Sequence, residues 1–151
     1  KKRAFHGVEL FGNKVLIAGG EGADVEIFDI ARNECVEMPP LPSPVYGMGT
    51  ACRGDTMLLV GGMNIEEELS NEIIEYDFKT GQSKVIFTMK HGLFGCSCVY
   101  RENTLIVIGG TDDDPKAVYS RDFLLNSWTK LPSTTELRVY SSTIVVNMKN
   151  F

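Results

Sequence analysis

The side chains whose types invite chemistry are two histidines, four cysteines and three short acidic runs. His6 falls in a strand-like run and His91 in a connector, so the two are not expected to converge on one metal ion. Cys96 and Cys98 are spaced two apart, on one face of a strand-like run, a spacing that could ligate a metal. No second Cys/His pair lies nearby in sequence, and the pair is expected to be two buried thiols. No Gly-x-Ser-x-Gly elbow, phosphate-cradling glycine loop or His-Glu-x-x-His run is present. The expectation is therefore no catalytic residue, no metal, no cofactor and no enzymatic activity. The acidic runs are Glu66-Glu67-Glu68, Asp112-Asp113-Asp114 and the pair Glu21 and Asp24, and these point to binding.

The chain has 151 residues, 15 Lys+Arg against 20 Asp+Glu, and a formal net charge of -5. With no basic excess to release counterions, nucleic acid is not an expected partner. No apolar run approaches the roughly 18 residues that a membrane-spanning helix needs, so no membrane is expected either. Cys35, Cys52, Cys96 and Cys98 lie in strand-like runs, which suits reduced thiols in an intracellular, cytoplasmic setting. The chain begins Lys1-Lys2-Arg3 and breaks off at Phe151 within an apolar–polar run, and it is expected to be a piece of something longer.

The positioning elements repeat. KVLIAGG, TMLLVGG and TLIVIGG end in the doublets Gly19-Gly20, Gly61-Gly62 and Gly109-Gly110. After each doublet comes a loop, then a strand-like run closing at Asp29, Asp77 or Asp122. Asp29 precedes Gly61 by 32 residues and Asp77 precedes Gly109 by 32, whereas doublet and Asp are 9, 15 and 12 apart. All the length variation thus falls in one loop of an otherwise constant unit. Within a unit the hydrophobic period is two, and four strands fit; unit one gives 3–11, 14–18, 25–29 and 34–38. The units are approximately 3–44, 45–91 and 92–137, with the first strand of a further unit (140–148) inside 138–151, thirteen strands in all. Each doublet is expected to let antiparallel neighbours approach where the second strand ends, because glycine accepts positive φ and brings no Cβ. On the first strands Tyr46, Met48, Thr50 and Cys52 form a large face and Gly47, Gly49 and Ala51 a small one. Such alternation suits tapered packing of one sheet on the next.

Antiparallel four-stranded units in series are blades of a β-propeller, so the fold class is all-β. The doublets, the pairs Phe28-Asp29 and Tyr76-Asp77, and Trp128 six residues after Asp122 resemble Kelch repeats. The pattern is most similar to the Kelch domain of BTB-Kelch proteins and covers nearly the whole chain. It departs at Cys35 and Ser83, which stand where Trp128 stands in unit three, and at Arg121, which replaces the aromatic before Asp122. Three blades do not close a ring, and the resemblance implies about half of a six-bladed propeller. It implies a protein-binding module that recognises substrates for a cullin-type E3 ubiquitin ligase through an upstream BTB domain. An actin- or cytoskeleton-binding Kelch protein is the alternative, with a cytoskeletal or nuclear location, and half of a Kelch-like oxidase or epimerase comes third. The copper oxidases on such propellers pair tyrosine with histidine ligands, and no histidine set accompanies Tyr46, Tyr100 and Tyr140.

In Kelch propellers one face, made by the loops after the doublets and the connectors into the first strands, commonly holds a partner peptide. Carried over, the positions after the doublets are Glu21, Met63 and Thr111, and the connector positions are Ala4, Tyr46, Phe94 and Tyr140. Glu66, Glu67, Glu68, Asp112, Asp113 and Asp114 would sum with Glu21 into one negative rim. The implied ligand is a protein or peptide carrying Lys or Arg and an apolar side chain.

Overall fold

The computed structural model describes residues 2–111 and 114–144. Runs with a period of two, rich in β-branched residues, become twelve strands, and no helix occurs among the described residues. Unit one holds β1 (Gly7–Phe11), β2 (Lys14–Ala18), β3 (Val25–Asp29) and β4 (Glu34–Met38). Unit two holds β5 (Gly49–Arg53), β6 (Thr56–Val60), β7 (Glu72–Asp77) and β8 (Ser83–Thr88). Unit three holds β9 (Ser97–Arg101), β10 (Thr104–Ile108), β11 (Val118–Asp122) and β12 (Ser127–Leu131). Each unit is one antiparallel sheet with its strands in chain order, an arrangement consistent with three blades of a propeller. The first strand starts at Gly7 rather than at residue 3, because residues 3–6 serve as a connector. There the Arg3 guanidinium donates to the Gly19 and Asp24 carbonyls at 3.1 and 2.8 Å. Of the expected thirteenth strand, residues 140–144 are not in strand conformation, and 145–148 lie outside the described residues. Thr143 Oγ1 nevertheless donates to the Cys98 carbonyl at 2.7 Å, so this segment runs beside β9.

The three aspartates that close the third strands have one job. Asp29 Oδ1 accepts from the amides of Ala31 and Arg32, Asp77 Oδ1 from Lys79 and Thr80, and Asp122 Oδ1 from Leu124 and Leu125. Each carboxylate thereby satisfies the turn into the fourth strand.

Two seams hold the units together. In the first, Leu16, Ala18, Val25 and Ile27 pack on Met57, Leu59, Ile74 and Tyr76. Tyr76 is wholly buried there and donates to the Pro39 carbonyl at 2.7 Å, and burial raises its phenol to about 12. In the second, Ala51, Leu58, Val60 and Ile73 pack on Cys96, Cys98, Leu105 and Val107. The small face of β5 receives the large face of β9, since a Cβ on Gly49 would run into the Cys96 and Cys98 sulfurs. Arg121 takes the position that Phe28 and Tyr76 hold in the other units. Its guanidinium, in a residue only 5% exposed, stacks 4.3 Å from the Phe87 ring centroid and so fills a ring's place with a flat cation.

The doublets work both within a unit and across units: the first glycines, Gly19, Gly61 and Gly109, donate to the Asp24, Glu72 and Ala117 carbonyls at the entry to their own third strands, at 3.0, 2.9 and 2.9 Å. The amides of Gly20, Gly62 and Gly110 donate to the carbonyls of Val45, Leu93 and Arg138, in the connector of the following unit, at 2.9, 2.6 and 2.7 Å. A second ladder runs beside them. Gly47 donates to the Phe5 carbonyl at 2.8 Å, Gly95 to Gly47 at 2.7 Å and Tyr140 to Gly95 at 2.8 Å. All four ladder residues have positive φ, between 55° and 69°.

Gly62 and Gly54 separate the two duties of a glycine. Gly62 combines φ 101° with the Tyr46 carbonyl only 3.0 Å from any added Cβ, whereas Gly54 has φ 59° and open space around it. Gly54→Ala should cost about 1 kcal/mol and Gly62→Ala well over 2 kcal/mol in denaturant unfolding; equal losses would refute the docking role. Asp77 gives a second check. The amides of Thr80 and Lys79 hold its carboxyl below the usual carboxylate range. Its stabilisation is complete above the unfolded value of about 3.9 and fades as pH falls through the folded value. The stability gap between the native chain and Asp77→Ala, measured by urea unfolding, should therefore be open at neutral pH and narrow in acid.

Candidate functional site

The connectors that receive the doublets also carry aromatic rings. Because φ turns positive at Phe5, Gly47, Gly95 and Tyr140, the chain reverses there, and the rings of successive units meet. Phe5 lies 6.4 Å from Tyr46 and 5.8 Å from Tyr140, and Phe94 lies 5.6 Å from Tyr46 and 5.5 Å from Tyr140, both edge-on. The four centroids form one closed cluster. Phe94 is 8% exposed and acts as the prop, while Phe5 and Tyr140 are 57% and 59% exposed and form the outer surface. Edge-on pairs of this kind contribute about 0.5–1.5 kcal/mol beyond area burial. They also fix ring orientation before any ligand arrives.

Tyr46, Phe94 and Tyr140 were expected together, and the structure brings them together. Phe5, the neighbour of the expected Ala4, is a member that sequence reasoning misses. By the ladder, Ala4 matches Tyr46 and Phe94, while Tyr140 matches Phe5, Gly47 and Gly95 and sits one position later than read from the sequence. Positive φ at a non-glycine is the physical property that distinguishes these sites, and sequence carries no periodic mark for it.

The residues past the doublets lie against this cluster. Met63 and Tyr46 exchange backbone hydrogen bonds at 3.0 and 2.9 Å, and the Tyr46 hydroxyl donates to Met63 Sδ at 3.1 Å. Thr111 donates to the Phe94 carbonyl through its amide at 2.7 Å and its hydroxyl at 3.2 Å. Glu21 is exposed beside Gly20.

The acidic loop of unit two is built on Met63, which also bridges to Leu69. Asn64 Oδ1 accepts from the Glu66 and Glu68 amides at 3.0 and 2.8 Å, and Asn64 Nδ2 donates to Glu68 Oε2 at 2.9 Å. Glu66 and Glu67 stand exposed at the tip. In unit three the arrangement differs. Asp114 Oδ2 is 2.8 Å from Lys130 Nζ, which holds its carboxyl below the usual range, so this charge is spent within its own unit. Asp112 and Asp113 lie outside the described residues.

His6 and His91 are both exposed, one before β1 and one in the connector to unit three. Among the described residues no group of three or more His, Cys, Asp or Glu gathers as metal ligands. The four cysteines are free. Cys98 donates to Cys96 in the second seam, and that bond together with burial pushes its thiol up.

No family model matches this sequence. A stretch of 105 residues, 63% of the chain, is 35% identical to the Mus musculus protein named Multiple epidermal growth factor-like domains protein 8, of which it covers 4%. Kelch-like protein 40 of Xenopus tropicalis is 26% identical over 144 residues, 93% of the chain and 23% of that protein. Its Mus musculus counterpart is 31% identical over 98 residues, 60% of the chain and 15% of that protein. The chain is similar to Kelch-like protein 40. Together with the all-strand fold, this supports a Kelch-like relationship. The chain spans less than a quarter of the length of these relatives.

The prop and the surface of the cluster should separate in a mutational test. Phe94→Ala, which empties a buried ring site, should destabilise the chain by about 3 kcal/mol or more. Tyr140→Ala, at an exposed ring, should cost about 1 kcal/mol. Chemical denaturation of the two variants measures both, and equal costs would mean that Phe94 supports nothing.

Proposed function

We propose that the four-ring cluster and the acidic loop of unit two form a docking face for a protein segment carrying Lys or Arg beside an apolar side chain. The observation that carries this is the continuous path from Tyr46 through Met63 to the Glu66–Glu68 tip. It puts preoriented aromatic surface and exposed negative charge on one connected piece of backbone. Aromatic rings of fixed orientation anchor a ligand at low entropic cost, and the carboxylates steer a basic partner towards them.

The similarity to Kelch-like protein 40 supports a protein-binding module. On that basis we read the chain as the substrate-recognition part of a cytoplasmic BTB-Kelch adaptor for a cullin-type E3 ubiquitin ligase. The similarity to a protein of multiple epidermal growth factor-like domains supports the binding module without the ligase, because it sets a like segment in a different chain.

Affinity purification of the native parent protein from its own cells, with mass spectrometry of what co-purifies, tests the adaptor role. A cullin scaffold is expected. Actin without a cullin would replace the adaptor reading by a cytoskeletal one. The docking face has its own test: Glu66→Lys with Glu67→Lys should weaken binding of the recovered partner about tenfold or more, measured by titration calorimetry, with unfolding unchanged. Unaltered affinity would remove the acidic loop from the site.

A further inference from the structure

A cleft of about 560 Å³ opens at the outer end of the seam between units two and three, lined by Phe87, Lys90, His91, Leu93, Tyr119 and Trp128 among others. Its size is that of a site for a small ligand or for one or two side chains of a peptide. Leu93 is buried and the Phe87 and Trp128 rings lie 5.7 Å apart, so one wall is apolar and aromatic.

The charged groups of the cleft run in one direction. Among the described residues no carboxylate lines it, although acidic side chains outnumber basic ones in the chain as a whole. Lys90 and His91 are exposed at its rim. Trp128 Nε1 is buried and has no hydrogen-bond partner among the described residues. Beneath the same two rings lies Arg121, its guanidinium 4.3 Å from the Phe87 centroid and 5.9 Å from that of Trp128. Arg121 Nη2 donates to Asn126 Oδ1, whereas Nε and Nη1 are buried without an acceptor among the described residues. A buried donor without a partner costs about 1–3 kcal/mol, and more when it is charged. The cleft therefore sets the positive charge of Lys90 beside an apolar wall backed by Arg121, and among the described residues its side-chain oxygen acceptors are the neutral hydroxyls of Thr88 and Tyr119.

We propose that this cleft is a second docking site, for an acidic peptide segment that places a carboxylate near Lys90 and His91 and an aromatic or aliphatic side chain against Phe87 and Trp128. Charge complementarity selects the occupant: a basic segment, of the kind assigned to the acidic loop, would meet like charge here. The two sites thus take segments of opposite sign, and the failure of one leaves the other standing.

Trp128 is the single tryptophan of the chain, so its fluorescence reports on the cleft alone. The full chain is titrated with Ac-Glu-Phe-Asp-amide, with the neutral Ac-Gln-Phe-Asn-amide, with Ac-Lys-Phe-Arg-amide and with inorganic phosphate. The acidic peptide should give a saturable change, about tenfold tighter than the neutral one and than phosphate. The same gain should disappear in the doubly substituted Lys90→Glu, His91→Gln chain, whose two changes are at exposed positions that no seam depends on. A change with the basic peptide, equal responses to acidic and neutral peptides, a response to phosphate as strong as to the peptide, or no saturable change at all would each overturn the proposal.

Discussion

The end of each second strand lies backbone to backbone against the connector of the next unit, and the rest of the architecture depends on that approach. Gly20, Gly62 and Gly110 reach carbonyls of the following unit directly. Any side chain on the first residue of a doublet would overlap that connector. Because the contact is backbone to backbone, it is indifferent to what the neighbouring loops carry. That leaves the loop between doublet and third strand free to change length while the seam beneath it stays constant. The connector pinned by the doublet is also the segment that turns at Phe5, Gly47, Gly95 and Tyr140, so the packing constraint and the ring cluster share one cause.

How much of this could be read beforehand follows from where the chain is periodic. The strands of all three units, the hairpin turns at Gly12-Asn13, Gly54-Asp55 and Glu102-Asn103, and the closing aspartates are marked by alternation or by turn chemistry. The connectors are not. They contain proline, glycine and single aromatics without a period, and sequence placed Ala4 where Phe5 does the work and put Tyr140 one position out of step. Arg121 shows a different limit. Where the pattern calls for an aromatic, a guanidinium stacks in its place, and only the three-dimensional contact with Phe87 shows that the seam tolerates the exchange. The acidic runs are legible as runs, but not their engagement: Asp114 is held by Lys130, while the amides of Glu66 and Glu67 are held by Asn64 and their side chains stand exposed.

Phe5 and Tyr140 occupy ladder positions at which the two middle units have glycine. Left-handed backbone at a bulky residue costs about 1–2 kcal/mol, and their ring contacts with Phe94 and Tyr46 offset a cost of that size. The cluster is therefore not incidental to the fold. Its exposed rings are held by the same contacts that make their backbone conformation tolerable, which is the condition for a rigid recognition surface.

The seams also distribute protection unevenly along the chain. The sheet of unit two is covered on both sides, whereas units one and three each share a single seam. Leu58 and Leu59 are adjacent on β6, point to opposite faces, and are both at most 1% exposed. Val8 and Leu10, on the outer side of β1, are 47% and 62% exposed. In a stack where each layer touches only its neighbours, a sheet covered from both sides protects its amide protons better than a sheet covered from one. Unit two also bears the acidic tip and one wall of the cleft, so both recognition surfaces are anchored in the sheet that is packed on both faces.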